Sequence, residues 1–351
     1  MNSVTTSKKY YSEIDVARGF VLFLTVFAHA LPSHQLWFDW ISSFVMQTFF
    51  FLSGMTFKPD RFESAGQFLK VKFRKRIIPY FAICLVGLTI CLIRPDYRAP
   101  LFDAGWSYGL TWLLYYAQPR NLYIGQVWFL VCLFFAEVIF YLWYKIFRRA
   151  HPLIKFYSVI VLAWAAMKVP AVNQMFFSSM GRMPWKIDAA LGAAVFMIAG
   201  YYAQKYDVLG RLSRFYLFLM PLFVYANYIL GPAAYGYVNV CDCVYSPWLY
   251  YYSASFLGTF AVCLTAVQLK HWRFWQFVGH YSLPLFAAQT LFIYLVIETI
   301  YHFTGVWQDP VTSDKMALAI AVAAFILMLL VIWPYHLWKT GRAKRRAGGR
   351  S

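Results

Sequence analysis

Apolar residues recur in long runs along the chain, and shorter polar segments separate these runs. An α-helix needs about 20 mainly apolar residues to cross a hydrocarbon layer about 30 Å thick. The runs therefore predict an all-α polytopic membrane helix bundle of about ten transmembrane helices. The predicted spans cover residues 16–32, 41–57, 77–93, 126–146, 156–170, 187–203, 215–231, 249–268, 282–300 and 316–335.

The segments between the spans leave no room for a separate soluble domain, because no polar stretch exceeds about 30 residues. We predict one transmembrane domain over 1–337 and a basic cytoplasmic tail over 338–351. The first span is not expected to be a cleaved signal peptide, since charged residues lie inside it and no A-x-A-like site follows. The composition agrees with this class, because 61% of residues are hydrophobic and only 13% are charged.

The distribution of Lys and Arg predicts the orientation of the bundle, since cytoplasmic loops carry an excess of both. When both termini are placed in the cytoplasm, most of the 32 cations fall on that side. The net charge of +18 then follows from this rule, together with attraction to anionic membrane lipids. Nucleic-acid binding is not needed to explain it.

The stretch ARGFVLFLTVFAHA places Arg18 and His29 inside the first predicted span. Their separation of eleven positions puts them about 20° apart around a helix and about 16 Å apart along its axis. Asp15 and Thr25 fall on the same stripe. Polar and ionisable residues within a membrane face protein or a water-filled cavity, so this stripe is a candidate functional surface.

Each of the two residues also has a purely structural interpretation. Arg18, near the cytoplasmic surface and paired with Asp15, could snorkel to the lipid head groups. His29 is harder to explain in this way, because a buried imidazole at that depth needs two hydrogen-bond partners and adds little to packing.

A second basic feature precedes the third span in the sequence KFRKRIIPY. Lys72, Lys75 and Arg76 follow helical spacing and are predicted to share one helix face, with Arg74 beside them. Such a cluster could neutralise lipid phosphates or could bind a soluble polyanion, since phosphates are favourable partners for Lys and Arg.

The chain resembles the integral-membrane acyltransferase 3 family, most closely its branch of fucose 4-O-acetylase-like enzymes that acetylate bacterial surface glycans. The resemblance covers nearly the whole chain, and it departs from many relatives at Gln289, where they carry a histidine. The resemblance depends on the Arg-x10-His spacing of Arg18 and His29, preceded by IDVARG. It also depends on the sequences FFFLSGMTF, KFRKRIIPY, VWFLVCLFFAEVIFYL, IDAALGAAVFMIAGYYAQKY and GHYSLPLFAAQTL.

The resemblance implies transfer of an acetyl group from cytoplasmic acetyl-CoA to a hydroxyl of a surface polysaccharide or a lipid-linked sugar, in the bacterial inner membrane. The polyanionic head of acetyl-CoA would bind at the inner surface, and its pantetheine arm would run between the spans. Ser53 and Gly54 could let the arm pass, although small residues also serve helix packing. The predicted cofactor-binding residues are Arg18, Lys72, Arg74, Lys75, Arg76 and Ser53.

His29 is predicted to be the general base that takes the proton of the attacking hydroxyl. Three intramembrane carboxylates could orient it, and Asp188 and Glu137 are favoured over Glu298. An acyl-His29 intermediate stays open beside direct transfer. The predicted acceptor side comprises the aromatic or polar loops 94–125, 231–248 and 301–315.

A proton-coupled secondary transporter is the alternative function, because transporters also place Arg, His, Asp and Glu inside the membrane. The chain lacks the paired broken helices that are typical of many transporters. No metal is expected, since the histidines show no ligand spacing. Cys241 and Cys243 give only a weak signal for a disulfide or a metal site, and association into a homo-oligomer stays open.

Overall fold

The computed structural model describes residues 12–31, 36–93, 106–119, 124–304 and 313–348. These residues form a bundle of helices, which confirms the predicted all-α class. In the described ranges the backbone forms no β-strand, and a single bridge pairs Asn239 with Val244 in a tight hairpin between two helices.

The bounds of the helices are α1 Ser12–Ala30, α2 Leu36–Ser42, α3 Val45–Met55, α4 Ala65–Ile93, α5 Trp106–Leu110, α6 Trp128–Phe147, α7 Pro152–Phe176, α8 Ile187–Lys205, α9 Val208–Leu212, α10 Tyr216–Leu230, α11 Pro232–Tyr235, α12 Trp248–Gln268, α13 Arg273–His280, α14 Ser282–Thr304 and α15 Asp314–Gly348. Some long helices pack against their neighbours in the chain, whereas other close pairs, such as α3 with α8 and α1 with α13, are distant in sequence.

Eight helical segments in the described part of the chain are long and apolar enough to cross a membrane, and they match the third to tenth predicted spans. The two remaining predicted spans correspond to α1 and to the pair α2–α3. Helix α1 carries Glu13, Asp15 and Arg18 in its first two turns, and α3 has only 11 residues. The total of ten spans, like the location of the termini, stays a prediction.

The helices divide into central and peripheral ones by how much they bury. Within their most apolar windows, α6 and α8 bury 67% of residues, whereas α10 buries 11%. Large apolar side chains such as Leu217 and Met175 remain exposed on peripheral helices. A membrane protein is expected to show them there, because lipid is as apolar as the side chains themselves.

The backbones of α3 and α8 cross in close contact, and two glycines make this crossing possible. A Cβ atom on Gly54 would collide with the backbone carbonyl of Met197, and one on Gly200 with the backbone carbonyl of Phe51. Small residues allow membrane helices to approach backbone to backbone and gain dispersion contacts. This crossing holds α3 in the interior of the bundle. With 11 residues, α3 is too short to span a membrane by itself.

We predict that Gly200→Ala lowers the free energy of unfolding by about 3 kcal/mol, because overpacking forces the two backbones apart. The matched control is Gly66→Ala, since a Cβ atom at Gly66 meets nothing closer than 4.0 Å. Thermal unfolding of the detergent-solubilised protein measures both variants. Equal melting temperatures for the two would contradict the close crossing.

Candidate functional site

The ring of His29 opens into a cavity of about 270 Å³ at the end of the bundle where α1 ends, which we call the His29 end. The His29 side chain is exposed because it faces this cavity rather than packed helices. Thr25, one turn earlier on α1, also lines the cavity, and its hydroxyl donates to the carbonyl of Val21 at 2.7 Å. The predicted polar stripe on α1 therefore faces the interior of the protein.

The lining of the cavity combines aromatic rings with a few polar groups, a mixture that is typical of small-molecule sites. Trp128, Phe38 and Tyr237 supply three of the rings. Gln126 lies in the 3₁₀ turn Gly125–Val127 before α6, and its Nε2 donates to Oγ1 of Thr290 on α14. The lining thus draws on α1, α2, α3, the start of α6, α14 and residues 237–241, which lead into the hairpin.

His29 makes no hydrogen bond within the described part of the chain. Asp188 and Glu137, the carboxylates predicted to orient it, are hydrogen-bonded elsewhere. Glu298 lies half-buried on α14. The structure therefore does not bring the predicted base together with either favoured partner.

Glu137 lies buried on α6 and is paired with the basic face of α4. Lys72 Nζ approaches Glu137 Oε1 at 2.9 Å, and Arg76 Nη2 approaches the same oxygen at 3.0 Å. Lys72 also lies over the ring of Phe57, at 4.5 Å from its centre. Two cations thus compensate one buried carboxylate, and Glu137 acts as the counter-ion that fixes α4 against α6.

This pairing divides the predicted basic cluster into two parts. Lys72 and Arg76 are turned inward, whereas Arg74 and Lys75 are exposed. Arg18 Nη1 lies 3.4 Å from Asp15 Oδ1, as the sequence suggests, and Arg18 is close enough to Arg76 to be repelled by it. A positively charged region, made by Arg18 and these four residues of α4, thus lies at the end opposite His29.

Asp188 lies at the start of α8 in a second charged cluster. Arg182 Nη2 approaches Asp188 Oδ2 at 2.7 Å, Asn173 donates to the same oxygen at 3.1 Å, and the backbone N–H of Ala189 donates to Oδ1. Arg182 also contacts Asp242 at 3.0 Å. The cluster therefore ties the hairpin to the start of α8.

Lys186 completes this cluster next to the cavity. Its side chain is fully buried, and its backbone adopts a left-handed conformation with φ 58°. Its ammonium donates to Gln118 Oε1 at 2.5 Å and to the carbonyl of Cys241 at 3.2 Å. Gln118 and Cys241 both line the cavity, so Lys186 holds two of its walls together.

Arg182 and Lys186 are absent from the site residues that the sequence predicted. The available signal was their position immediately before Asp188, where a buried carboxylate requires a nearby cation. Gln126 was also missed, since only the tertiary structure brings it to His29, whereas Gln118 and the hairpin lie within loops 94–125 and 231–248 of the predicted acceptor side.

Cys241 and Cys243 are free and buried in the hairpin. Burial raises the pKa of the Cys241 thiol to about 11 and that of Cys243 to about 12. Both thiols are therefore protonated near neutral pH, and a protonated thiol is a poor nucleophile and a poor metal ligand.

Two other predicted positions show different surroundings. Ser53 donates to the carbonyl of Phe49 at 2.8 Å, and the contact of Gly54 with α8 is helix packing. Gln289 is fully buried on α14, and neither of its amide atoms has a hydrogen-bond partner among the described residues. Much of the predicted acceptor loops 94–125 and 301–315 lies outside the described residues.

Comparison with known families gives one match. The family described as an acyltransferase domain matches residues 11–337. No curated protein and no solved structure matches the chain.

We predict that Glu137→Gln lowers the free energy of unfolding by about 3 kcal/mol, because two half-buried cations lose their counter-ion. Adding Lys72→Met to Glu137→Gln removes one of those cations and should restore part of the loss. Thermal unfolding of single and double variants measures the coupling. Additive effects of the two substitutions would show that the ion pair does not stabilise the fold.

We also predict that Arg182→Met loosens the hairpin, since Asp188, Asp242 and the carbonyl of Cys241 all lose a donor. Labelling of Cys241 and Cys243 by a maleimide should then become at least about tenfold faster, because it requires local opening. The control is Lys168→Met, which removes an exposed lysine stacked on Trp164. Equal labelling of both variants would contradict a clamp at Arg182.

Proposed function

The chain belongs to the acyltransferase 3 family, and on that premise we propose that this multi-pass membrane protein moves an acetyl group from acetyl-CoA to a sugar hydroxyl. The observation that carries the proposal is the position of His29. Its imidazole faces a cavity and makes no hydrogen bond with the described residues, so it is available to an incoming hydroxyl.

In the proposed reaction, the neutral imidazole of His29 takes the proton from the acceptor hydroxyl while the oxygen attacks the thioester carbonyl carbon. The carbon–sulfur bond then breaks, and the leaving CoA thiolate takes up the proton from the imidazolium. A general base of this kind contributes about 10²- to 10⁴-fold to the rate. Donor and acceptor must therefore meet in the cavity, beside the aromatic lining.

The donor side is supported by the charges at the other end of α1. Lys75 and Arg74 are exposed there, and Arg18 lies close to Arg76. Phosphate groups are suitable ligands for such a region, because each charge-assisted hydrogen bond is stronger than a neutral one. The distance from Arg18 to His29 along α1, about 16 Å, suits a long pantetheine arm.

Lys72 and Arg76 have a smaller part in this proposal than the sequence suggests. Their charges are already compensated by Glu137. We propose that they hold α4 in position and that the phosphates of acetyl-CoA bind chiefly at Arg18, Arg74 and Lys75.

The acceptor is proposed to reach the cavity from the extracytoplasmic side of a bacterial inner membrane, as a surface polysaccharide or a lipid-linked precursor. Trp128 and Tyr237 line the cavity and offer apolar faces on which a sugar ring can pack. The polar groups between them would bind hydroxyls, which makes a carbohydrate a better fit than a purely apolar alcohol.

The transporter alternative needs a chain of titratable groups that could relay protons across the membrane. Glu137 and Asp188 instead lie in two separate clusters, each with its own cations, and neither is hydrogen-bonded to His29. This arrangement favours the acyltransferase.

Acetyl-CoA binding and its slow hydrolysis by purified protein test the proposal. His29→Ala should still bind acetyl-CoA, and its hydrolysis rate should fall by about 10²- to 10⁴-fold. Arg18→Ala should weaken binding instead. His271→Ala, at an exposed histidine between α12 and α13, is the control for the loss of an imidazole. If folded wild-type protein has no affinity for acetyl-CoA, the proposed donor is wrong.

A further inference from the structure

Gln126 is a polar residue of the cavity that the proposed chemistry leaves unused. Its side chain lines the same cavity as His29, yet the residue is only 8% exposed. Its Nε2 donates to Thr290, whereas its Oε1 has no partner among the described residues. One half of the amide is therefore held by α14, and the other half is an unused hydrogen-bond acceptor.

An unpaired amide oxygen at such a depth costs free energy, because it has given up water without gaining another donor. The cost is recovered when a ligand brings a donor to the cavity. The bond to Thr290 fixes the direction of the amide, so the acceptor oxygen is held in place before the ligand arrives. Such preorganisation favours affinity and selectivity.

Two other polar groups of the cavity do not offer the same acceptor. The hydroxyl of Thr25 is bonded to its own helix, and Gln118 Oε1 already accepts from Lys186. Gln126 thus differs from both residues, because its Oε1 accepts no hydrogen bond from the described residues.

We propose that Gln126 Oε1 accepts a hydrogen bond from a second hydroxyl of the acceptor, next to the hydroxyl that His29 deprotonates. The acceptor is then a diol, such as two neighbouring hydroxyls on one sugar ring. This inference deepens the proposed acyl transfer and depends on it. Gln126 is a specificity-determining residue in this role, and His29 carries out the proton transfer.

The size of the cavity agrees with recognition of one ring. Its volume of about 270 Å³ lies at the small end of ligand sites. Trp128 and Phe286 line it together with Gln126. A single ring that packs against these aromatic groups has little freedom to turn, so one hydrogen bond is enough to choose which of its hydroxyls faces His29.

The test compares two small alcohols as acetyl acceptors, cis-1,2-cyclohexanediol and cyclohexanol, with acetyl-CoA as donor. Formation of each ester by the full-length protein in detergent gives kcat and KM for each alcohol. Per hydroxyl, wild type should prefer the diol about tenfold in kcat/KM, since one hydrogen bond to a preorganised acceptor is worth about that factor. Gln126→Met should reduce the preference to about one, mainly by raising KM for the diol.

Two further variants separate the acceptor oxygen from other effects. Gln126→Glu keeps an oxygen at the position of Oε1, so this variant should keep the diol preference. It also tests the proposal if Gln126→Met fails to fold. Thr25→Val changes a lining residue whose hydroxyl is already bonded within α1, and it should keep the preference as well.

The outcomes are distinct. The role of Gln126 is overturned if wild type shows no preference for the diol, or if Gln126→Met keeps that preference. In either case, ester formation still supports acyl transfer. A Gln126→Met that changes only KM for acetyl-CoA also overturns it, because Gln126 would then bind an amide of the donor arm. A folded wild type that neither hydrolyses acetyl-CoA nor forms an ester overturns both proposals.

Discussion

Compensation of charge inside an apolar bundle is the constraint on which the rest of this structure depends. Removing an ion from water costs several kcal/mol, and only close opposite charges and hydrogen bonds recover that cost. Glu137 meets this requirement with Lys72 and Arg76, and Asp188 meets it with Arg182. The pairing at Glu137 joins α6 to α4, and Arg182 also pairs with Asp242 in the hairpin, so compensation of charge helps to hold these elements together.

The two charged clusters have different consequences for the site. The cluster at Glu137 fixes α4 against α6 and determines which cations stay exposed near Arg18. The cluster at Asp188 holds the hairpin against α8, and through Lys186 it joins Gln118 to Cys241 at the cavity wall. The cavity at His29 is therefore built by residues that take no part in the proposed proton transfer.

His29 and Gln126 are two polar groups at the cavity that this compensation leaves available. All other intramembrane charges discussed above have partners, whereas the imidazole and one amide oxygen line the cavity without a hydrogen bond among the described residues. Polar groups without partners are costly in a protein interior, and they concentrate where a ligand supplies the missing contact. This contrast makes the His29 end the candidate site.

The sequence by itself determined the class of the fold, because apolar runs long enough to span a bilayer leave few alternatives to a helix bundle. It also determined the shared face of Arg18 and His29, which follows from helical periodicity within one element. The family match over residues 11–337 agrees with the resemblance found in the sequence motifs. Only the tertiary structure decided that Glu137 pairs with α4 and that Arg182 pairs with Asp242, and it alone brought Gln126 into the cavity of His29. These contacts join residues far apart in the chain, and they depend on how helices cross, which periodicity within a single helix does not specify.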